Sequence, residues 1–193
     1  MFHTFCGLFG WNLLKACSIK KSILPQGGIA LEIERKWLMK QKPQGLPVLE
    51  KATLYQGYLC TQPTVRIRST NCNGKTSYRL CIKGKGTLVR EEIELDLSKE
   101  KFESLSHMLT KPMIRKDYTV YTLPNGLRLE YNEVDTGKPG AFSYAEVEFK
   151  SVPAAHAFTP LPCLGREVTE EPGWTMADYW NRCAPAETAV GGK

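Results

Sequence analysis

A chain of 193 residues fits one domain and is long enough to bury a hydrophobic core. Its formal net charge is +6, from 26 basic and 20 acidic residues, which suits an anionic partner. The sequence contains no long block of Lys and Arg and no basic tail, so we do not expect it to bind nucleic acid.

The two ends of the chain differ in composition from the rest. An apolar run from Phe2 to Leu14 is too short to span a bilayer, and its lysines follow the run, whereas a secretory signal places them first. We therefore interpret residues 1–28 as an extension that is disordered or without function, and we expect no membrane partner. Residues 29–183 are predicted to form one domain, and the small, polar residues 184–193 a disordered tail.

The cysteines give an expectation about the compartment. Their number is seven, and no two have CxxC spacing, so neither a zinc site nor a disulfide framework is indicated. Reduced thiols and a cytoplasmic location are the expectation.

In chain order, alternation of polar and apolar residues predicts eight strands. They are predicted at residues 30–39, 54–61, 64–70, 77–83, 89–97, 118–123, 127–134 and 143–150. Asn73-Gly74 and Pro124-Asn125-Gly126 are hairpin signals between neighbouring strands. Short helices are predicted after Ser98 through residue 109, near residues 154–158, and after Thr175 through residue 183. The pattern indicates an α+β, mainly β fold, either an antiparallel sheet or a closed barrel with a few covering helices.

Charged residues recur on one face of these strands. In the first strand Glu32, Glu34 and Lys36 share a face, because side chains at i, i+2 and i+4 point the same way. The same spacing recurs at Arg66/Arg68, Lys83/Lys85, Arg90/Glu92/Glu94, Arg128/Glu130 and Glu146/Glu148. A solvated face is the ordinary explanation for one such strand. Like charges repeated at i, i+2 repel, however, which favours a counter-charge bound between them.

One ligand class would satisfy both kinds of pair. Glu-x-Glu pairs offer the hard oxygen ligands that Mg²⁺ or Mn²⁺ prefers, and Arg and Lys pairs bind phosphate oxygens. A metal ion bound to a polyphosphate needs both at once. If the strands close into a barrel with the charged face inward, its interior is a polar tunnel that holds the ligand.

Seven short motifs resemble, in the right order, those of the CYTH family, also called the triphosphate tunnel metalloenzymes. They are Glu32-Ile33-Glu34-Arg35-Lys36 (ExExK), Gln56-Gly57-Tyr58-Leu59, Val65-Arg66-Ile67-Arg68, Ile82-Lys83-Gly84-Lys85-Gly86, Arg90-Glu91-Glu92-Ile93-Glu94, Ala145-Glu146-Val147-Glu148 and Glu167-Val168-Thr169. The resemblance runs from about residue 31 to residue 179. It implies an eight-stranded antiparallel closed barrel and metal-dependent chemistry on triphosphates, with Mg²⁺ or Mn²⁺ as the cofactor.

The resemblance also implies roles for individual residues. The metal ligands would be Glu32, Glu34, Glu133, Glu146 and Glu148. The substrate-binding cations would be Lys36, Arg66, Arg68, Lys83, Lys85, Arg90, Lys116 and Arg128. The catalytic set would be Lys36, Lys83, Glu92 and Glu94, with the two glutamates orienting the cations or a water molecule.

The sequence departs from the family pattern at two places. The family carries a Lys-x-Arg pair after its central helix, and here Lys116 matches the Lys but Tyr118 stands at the Arg position. Arg115 or Arg128 is the candidate replacement. The family also has an Asp about a dozen residues before the AEvE motif, where Glu133 fits best and Asp135 is the alternative.

The predicted function is metal-dependent hydrolysis of a triphosphate, most simply inorganic tripolyphosphate, because no base-recognition pocket is evident. Two alternatives stay open: a class IV type adenylate cyclase, and a binder of polyphosphate or nucleotide without enzyme activity. The expected partner is a triphosphate-type small molecule, and formation of a homodimer is left open.

Overall fold

The computed structural model describes residues 30–184, and the predictions for residues 1–28 and for the tail beyond 184 lie outside that range. Eight strands form a closed antiparallel barrel in the order β1-β5-β4-β3-β2-β6-β7-β8, with β8 pairing back onto β1. Three short helices lie against it. The predicted class, a mainly β fold with an eight-stranded closed barrel and covering helices, is confirmed.

The elements follow the predicted order. The strands are β1 Ala30–Met39, β2 Val48–Thr61, β3 Thr64–Cys72, β4 Lys75–Lys83, β5 Val89–Leu97, β6 Ile114–Thr122, β7 Arg128–Val134 and β8 Phe142–Glu148. The helices are α1 Lys99–Ser106, α2 Val152–Ala157 and α3 Met176–Arg182. The β3–β4 turn uses Asn73 (φ 51°) and Gly74 (φ 77°), as the hairpin signal predicted.

The largest boundary difference is in β2, which begins six residues before its predicted start at Leu54. Its first residues pair with β6, from Val48 opposite Tyr121, and the register shifts between Val48 and Glu50. Such an irregularity breaks the alternation on which the prediction depended. Helix α1 is shorter than predicted and ends at Ser106.

The apolar faces of the strands point out of the barrel, where the helices cover part of them. Trp37, Leu129 and Val147 are buried on this outer side and belong to one core cluster with Ala155 of α2. At the other end of the fold, Tyr179 and Trp180 of α3 pack with inward-facing barrel residues. Because many of the apolar groups are buried outside the barrel wall, a large part of its interior is left to polar and charged side chains, beside smaller apolar clusters.

The structure bears on two expectations, about membrane-spanning helices and about the cysteines. Within residues 30–184, no helix has the length and apolar character needed to cross a bilayer. Cys60, Cys81, Cys163 and Cys183 are free thiols. Cys72 is disulfide-bonded, so the expectation that all thiols are reduced is wrong at this position.

Candidate active site

A cavity of ≈ 1150 Å³ occupies the barrel interior. Its mouth lies beside the β2–β3 hairpin, the β4–β5 loop and the segment from Val168 to Asp178. The predicted site residues that line it are Glu32, Glu34, Lys36, Arg66, Arg68, Lys83, Lys85, Arg90, Glu92, Glu94, Lys116, Glu146 and Glu148. The structure therefore brings thirteen of the fifteen predicted side chains to one enclosed space.

Three neighbouring strands, β1, β8 and β7, supply an acidic wall. Glu34 lies opposite Glu148 in the register of β1 and β8, and Glu146 lies opposite Glu130 in the register of β8 and β7. Glu32 and Glu34 are both less than a tenth exposed. The barrel register thus places carboxylates from three strands side by side, with Glu32 and Glu34 buried and Glu148 exposed to solvent.

The electrostatics of this wall indicate a place for a cation. Burial, followed by the negative charges of Glu146 and Glu32, raises the pKa of Glu34 to about 7. A divalent ion would relieve this crowding, and a set of carboxylate oxygens is the donor set that Mg²⁺ and Mn²⁺ favour. The residues present therefore fit a hard divalent metal ion.

Strands β3, β4 and β5 supply the opposite, basic wall. Glu94 on β5 accepts from Arg68 at 3.2 Å and from Arg79 at 2.6 Å, and Arg66 lies 4.0 Å from it. Among the described residues, the Nε atoms of Arg66 and Arg68 are buried without a hydrogen-bond partner. A buried guanidinium with an unused donor is suited to an anion in the cavity.

Lys116 adds a buried cation between the two walls. Its Nζ donates to the Tyr144 hydroxyl at 2.9 Å. Burial holds the pKa of Lys116 well below its ordinary value, and the nearby Arg66, Arg68 and Lys36 act in the same direction, although Glu146 opposes them. A polyanion bound beside Lys116 would stabilise its charged form.

The two walls meet at Glu32. Its carboxylate accepts from Lys83 Nζ at 2.5 Å and from Arg90 Nε at 2.9 Å, while the other end of the Arg90 guanidinium reaches Glu34. These ion pairs cross from β5 and β4 to β1. The cations of the basic wall are thereby held next to the carboxylates proposed to bind metal.

Cys81, which is buried next to two cavity-lining glutamates, was not identified from the sequence. Its Sγ lies 2.8 Å from Glu92 Oε1, and Cys81, Glu92 and Glu94 could place ligand atoms within 4.8 Å of one another. Glu94 already pairs with two arginines, and Lys83 lies 3.4 Å from Glu92. Because basic side chains surround Cys81, Glu92 and Glu94, these three residues are better suited to orienting the Arg and Lys side chains than to binding a metal ion. The sequence did offer a signal for Cys81, because it lies two residues from both Arg79 and Lys83 on β4 and therefore shares their face of the strand.

Two predicted residues lie elsewhere. Glu133 points to the outside of the barrel, where it pairs with Lys42 at 3.1 Å. Arg128 faces inward beyond the cavity and lies 3.8 Å from Glu50. Asp135, the alternative to Glu133, is also outside the cavity and accepts from Tyr179 Oη at 3.1 Å. The β7 carboxylate that lines the cavity is Glu130, whose alternation with Arg128 was visible in the sequence.

Tyr118, the departure from the family pattern, faces the cavity beside Leu54. Together with Val120 these side chains form a small buried apolar cluster inside the barrel. Asn132, across the register from Tyr118, and Tyr58 also line the cavity and were not predicted as site residues. At the position where the family pattern has an arginine, this chain therefore has the aromatic side chain of Tyr118.

Comparisons with known proteins agree with this arrangement. No family model matches the chain. A protein of Nitrosomonas europaea described as an inorganic triphosphatase is 37% identical over 140 residues, which cover 72% of this chain and 90% of that protein. A crystal structure of an inorganic triphosphatase matches 79% of this chain and 96% of its own, with a TM-score of 0.53 and 31% identity. A second structure, of a protein described as hypothetical, covers 79% and 99% with a TM-score of 0.54 and 30% identity.

The similarity to the Nitrosomonas europaea protein extends over nearly all of its length. The structure agrees with this similarity, because eight antiparallel strands form a closed barrel whose interior is lined by the motif residues. This chain belongs to the CYTH family, the triphosphate tunnel metalloenzymes.

Proposed function

We propose that this protein is a metal-dependent phosphohydrolase that cleaves triphosphates, with inorganic tripolyphosphate as its main substrate. The observation that carries the proposal is the division of one cavity into an acidic wall and a basic wall. A metal–triphosphate complex presents complementary charges to both walls. The similarity to an inorganic triphosphatase supports the same reaction.

The metal would be Mg²⁺ or Mn²⁺, held by Glu32, Glu34, Glu146 and Glu148, with Glu130 as a further carboxylate beside them. When bound, such an ion neutralises charge on the phosphate chain and helps to orient it. The glutamates would hold it on the β1–β8 side of the cavity, away from Arg66 and Arg68 and next to Arg90. Glu133, which lies outside the barrel, is not retained in this set.

The basic wall would bind the phosphate chain. Arg66, Arg68, Arg90, Lys36, Lys83 and Lys116 would donate to phosphate oxygens, with Lys85 at the mouth. Glu94, itself paired with Arg79, fixes the guanidinium group of Arg68 in advance, so Arg68 need not reorganise as charge develops on the transferred phosphoryl group. Water attacks the terminal phosphorus and pyrophosphate leaves, so tripolyphosphate yields pyrophosphate and phosphate.

The test is a substrate panel. Tripolyphosphate and ATP are each incubated with the protein in Mg²⁺ or Mn²⁺, and phosphate, pyrophosphate and cyclic AMP are measured. We expect phosphate release from tripolyphosphate to be fastest, and Glu32→Gln and Arg66→Ala to abolish it while circular dichroism shows a folded protein. Cyclic AMP as the main product from ATP would replace the hydrolase with a cyclase. Tight tripolyphosphate binding without turnover would make the protein a binder.

We also propose the cytoplasm as the location, in keeping with a small phosphorylated substrate. The disulfide at Cys72 is the observation that opposes it. Fractionation of cells that express a tagged protein tests this directly, and recovery of the protein outside the cytoplasmic fraction would refute it.

A further inference from the structure

The segment Glu167-Val168-Thr169 supplies none of the proposed metal ligands or phosphate-binding cations, although Val168 and Thr169 line the cavity at its mouth. It lies along the edge of β1 that β5 leaves uncovered, because β5 pairs with β1 only from Ala30 to Ile33. Beyond that point, Leu38 N donates to Arg166 O and Val168 N donates to Lys36 O, each at 2.8 Å. The segment thus acts as a short extra strand on the edge of β1 beside Lys36.

A chain of side-chain hydrogen bonds joins this segment to the outer face of β1. The Lys36 backbone N–H donates to Thr169 Oγ1 at 3.0 Å, and the Thr169 hydroxyl donates to Glu167 Oε1 at 2.8 Å. Arg35 then grips the same carboxylate with two bonds, Nε to Oε1 at 2.7 Å and Nη2 to Oε2 at 2.6 Å. Arg35, Glu167 and Thr169, called here the edge relay, therefore end on the backbone of Lys36.

Arg35 is itself held from several sides. Its Nη1 donates to the carbonyl oxygens of Ala155 and Phe158, at 2.8 and 2.9 Å, and its guanidinium lies 5.1 Å from the centre of the Trp37 ring. A bidentate, stacked arginine has little freedom to move. The edge relay is thus anchored to α2 and to the outer core.

The group at the inner end of the relay is a cavity cation. Lys36 Nζ lies 3.2 Å from Glu146 Oε1 and 3.8 Å from the centre of the Tyr144 ring. The residues that follow Val168 form part of the cavity mouth, and Thr87 of the β4–β5 loop donates to Glu170 Oε2 at 2.5 Å. A shift of the relay would therefore move both Lys36 and one side of the mouth.

We propose that Arg35, Glu167 and Thr169 are positioning residues for triphosphate hydrolysis, which fix Lys36 and the cavity mouth, with Arg35 and Glu167 outside the cavity and Thr169 at its mouth. This inference rests on the proposed function. Arg35 and Glu167 do not line the cavity, so their effect on the reaction passes through the residues that they hold. It also gives the ExExK and EVT motifs one joint purpose, since the Arg within the first grips the Glu of the second.

The decisive variant is Thr169→Val, which keeps the shape of the side chain and removes the hydroxyl. At 25 °C, with the fold checked by circular dichroism, we expect kcat for tripolyphosphate to fall about five- to ten-fold, the effect of one lost hydrogen bond. Thr169→Ser restores the hydroxyl and should return kcat to within about two-fold of the parent. A Thr169→Val protein with unchanged kcat and KM would overturn the inference.

A second variant separates positioning from direct phosphate contact. Glu167→Gln leaves the cavity lining intact, yet we expect a similar loss of kcat and a non-additive effect in the double variant, because both changes break one relay. If kcat fell in Thr169→Val but not in Glu167→Gln, Thr169 would contact the phosphate directly, and the proposed relay would be wrong. Lys42→Met is the matched control, since it breaks another outer ion pair, to Glu133, and should leave kcat unchanged.

The outcome does not depend on turnover alone. If the parent protein does not hydrolyse tripolyphosphate, the proposed function fails. The affinity for tripolyphosphate, measured by calorimetry, then tests the edge relay. In that case Thr169→Val and Glu167→Gln should each weaken binding about five-fold, with Thr169→Ser restoring it. Equal affinity in all four proteins would overturn the relay as well.

Discussion

The acidic and basic walls of the cavity satisfy their charges in different ways. On the basic wall, Glu94 sits among Arg66, Arg68 and Arg79, so opposite charges lie within one network. On the acidic wall, Glu34 and Glu146 crowd one another, and the pKa of Glu34 is raised to about 7 by burial and then by its acidic neighbours. The basic wall is held together by its own ion pairs. The acidic wall has ion pairs too, from Lys36 to Glu146 and from Arg90 to Glu32 and Glu34, but repulsion between its carboxylates remains for a bound cation to relieve.

The difference matters for the order of events. The carboxylates of the acidic wall would bind a divalent cation, which would offset their negative charge and favour a bound phosphate chain. The arginines, already oriented by Glu94, need only form new bonds to the phosphate oxygens. We therefore expect substitutions in the acidic wall to weaken metal binding, and substitutions in the basic wall to weaken phosphate binding.

The largest effect should come from the acidic wall. Glu34→Gln removes one charge from the proposed metal site while keeping the side-chain volume. We expect kcat for tripolyphosphate in Mg²⁺ to fall by at least about 100-fold, or about 2.7 kcal/mol of lost transition-state stabilisation. Mg²⁺ affinity measured by calorimetry should fall as well. Full activity in this variant would remove Glu34 from the metal site.

On the basic wall, Arg66→Lys keeps a positive charge but loses the buried Nε donor and the planar fork. We expect KM for tripolyphosphate to rise about ten-fold while Mg²⁺ affinity stays within about two-fold of the parent. Steady-state kinetics and calorimetry on the same preparation check both. Loss of Mg²⁺ affinity here would show that the two walls do not act separately.

The third comparison uses two glutamates on one strand. Glu130 lines the cavity on β7, while Glu133 pairs with Lys42 outside the barrel. We expect Glu130→Gln to lower kcat/KM for tripolyphosphate about five- to ten-fold and Glu133→Gln to change it by less than about two-fold. The reverse order of effects would return Glu133 to the metal site.

Glu130 and Glu133 also show how far the sequence leads. The alternation of charge in β1, β3, β5 and β8 was enough to predict which side chains face inward, because parity along a strand decides the face. For β7 the prediction followed the family spacing, which selected Glu133, although the Arg128/Glu130 alternation indicated the other parity. The contacts between Glu167 and Arg35 depend on segments that meet only in the fold, so no local pattern predicted them.

A smaller effect concerns stability without metal. The pKa of Glu34 is about 7 in the folded protein, against about 4.3 for a glutamate in an unfolded chain. Because the folded state binds this proton more tightly, the stability is present below the unfolded value and is lost as pH rises through about 7. We expect the melting temperature of EDTA-treated protein to fall between about pH 5 and pH 8, and Mg²⁺ or Glu34→Gln to reduce the fall. A midpoint that rises over this range would contradict the crowding.

A last prediction tests the claim that the charges of the basic wall are matched in advance. Burial raises the pKa of the Cys81 thiol to about 11, although Arg66 opposes this, and Glu92 accepts from the thiol at 2.8 Å. An unmatched cluster of cations would do the opposite and favour the thiolate. At pH 8 we expect iodoacetamide to modify exposed Cys60 roughly 100-fold faster than Cys81, because the Cys81 side chain is buried and its thiolate is disfavoured. Peptide mapping measures both sites, with Cys60→Ser as the control. Rapid modification of Cys81 at neutral pH would show that Glu92 and Glu94 leave the wall electropositive before any phosphate binds.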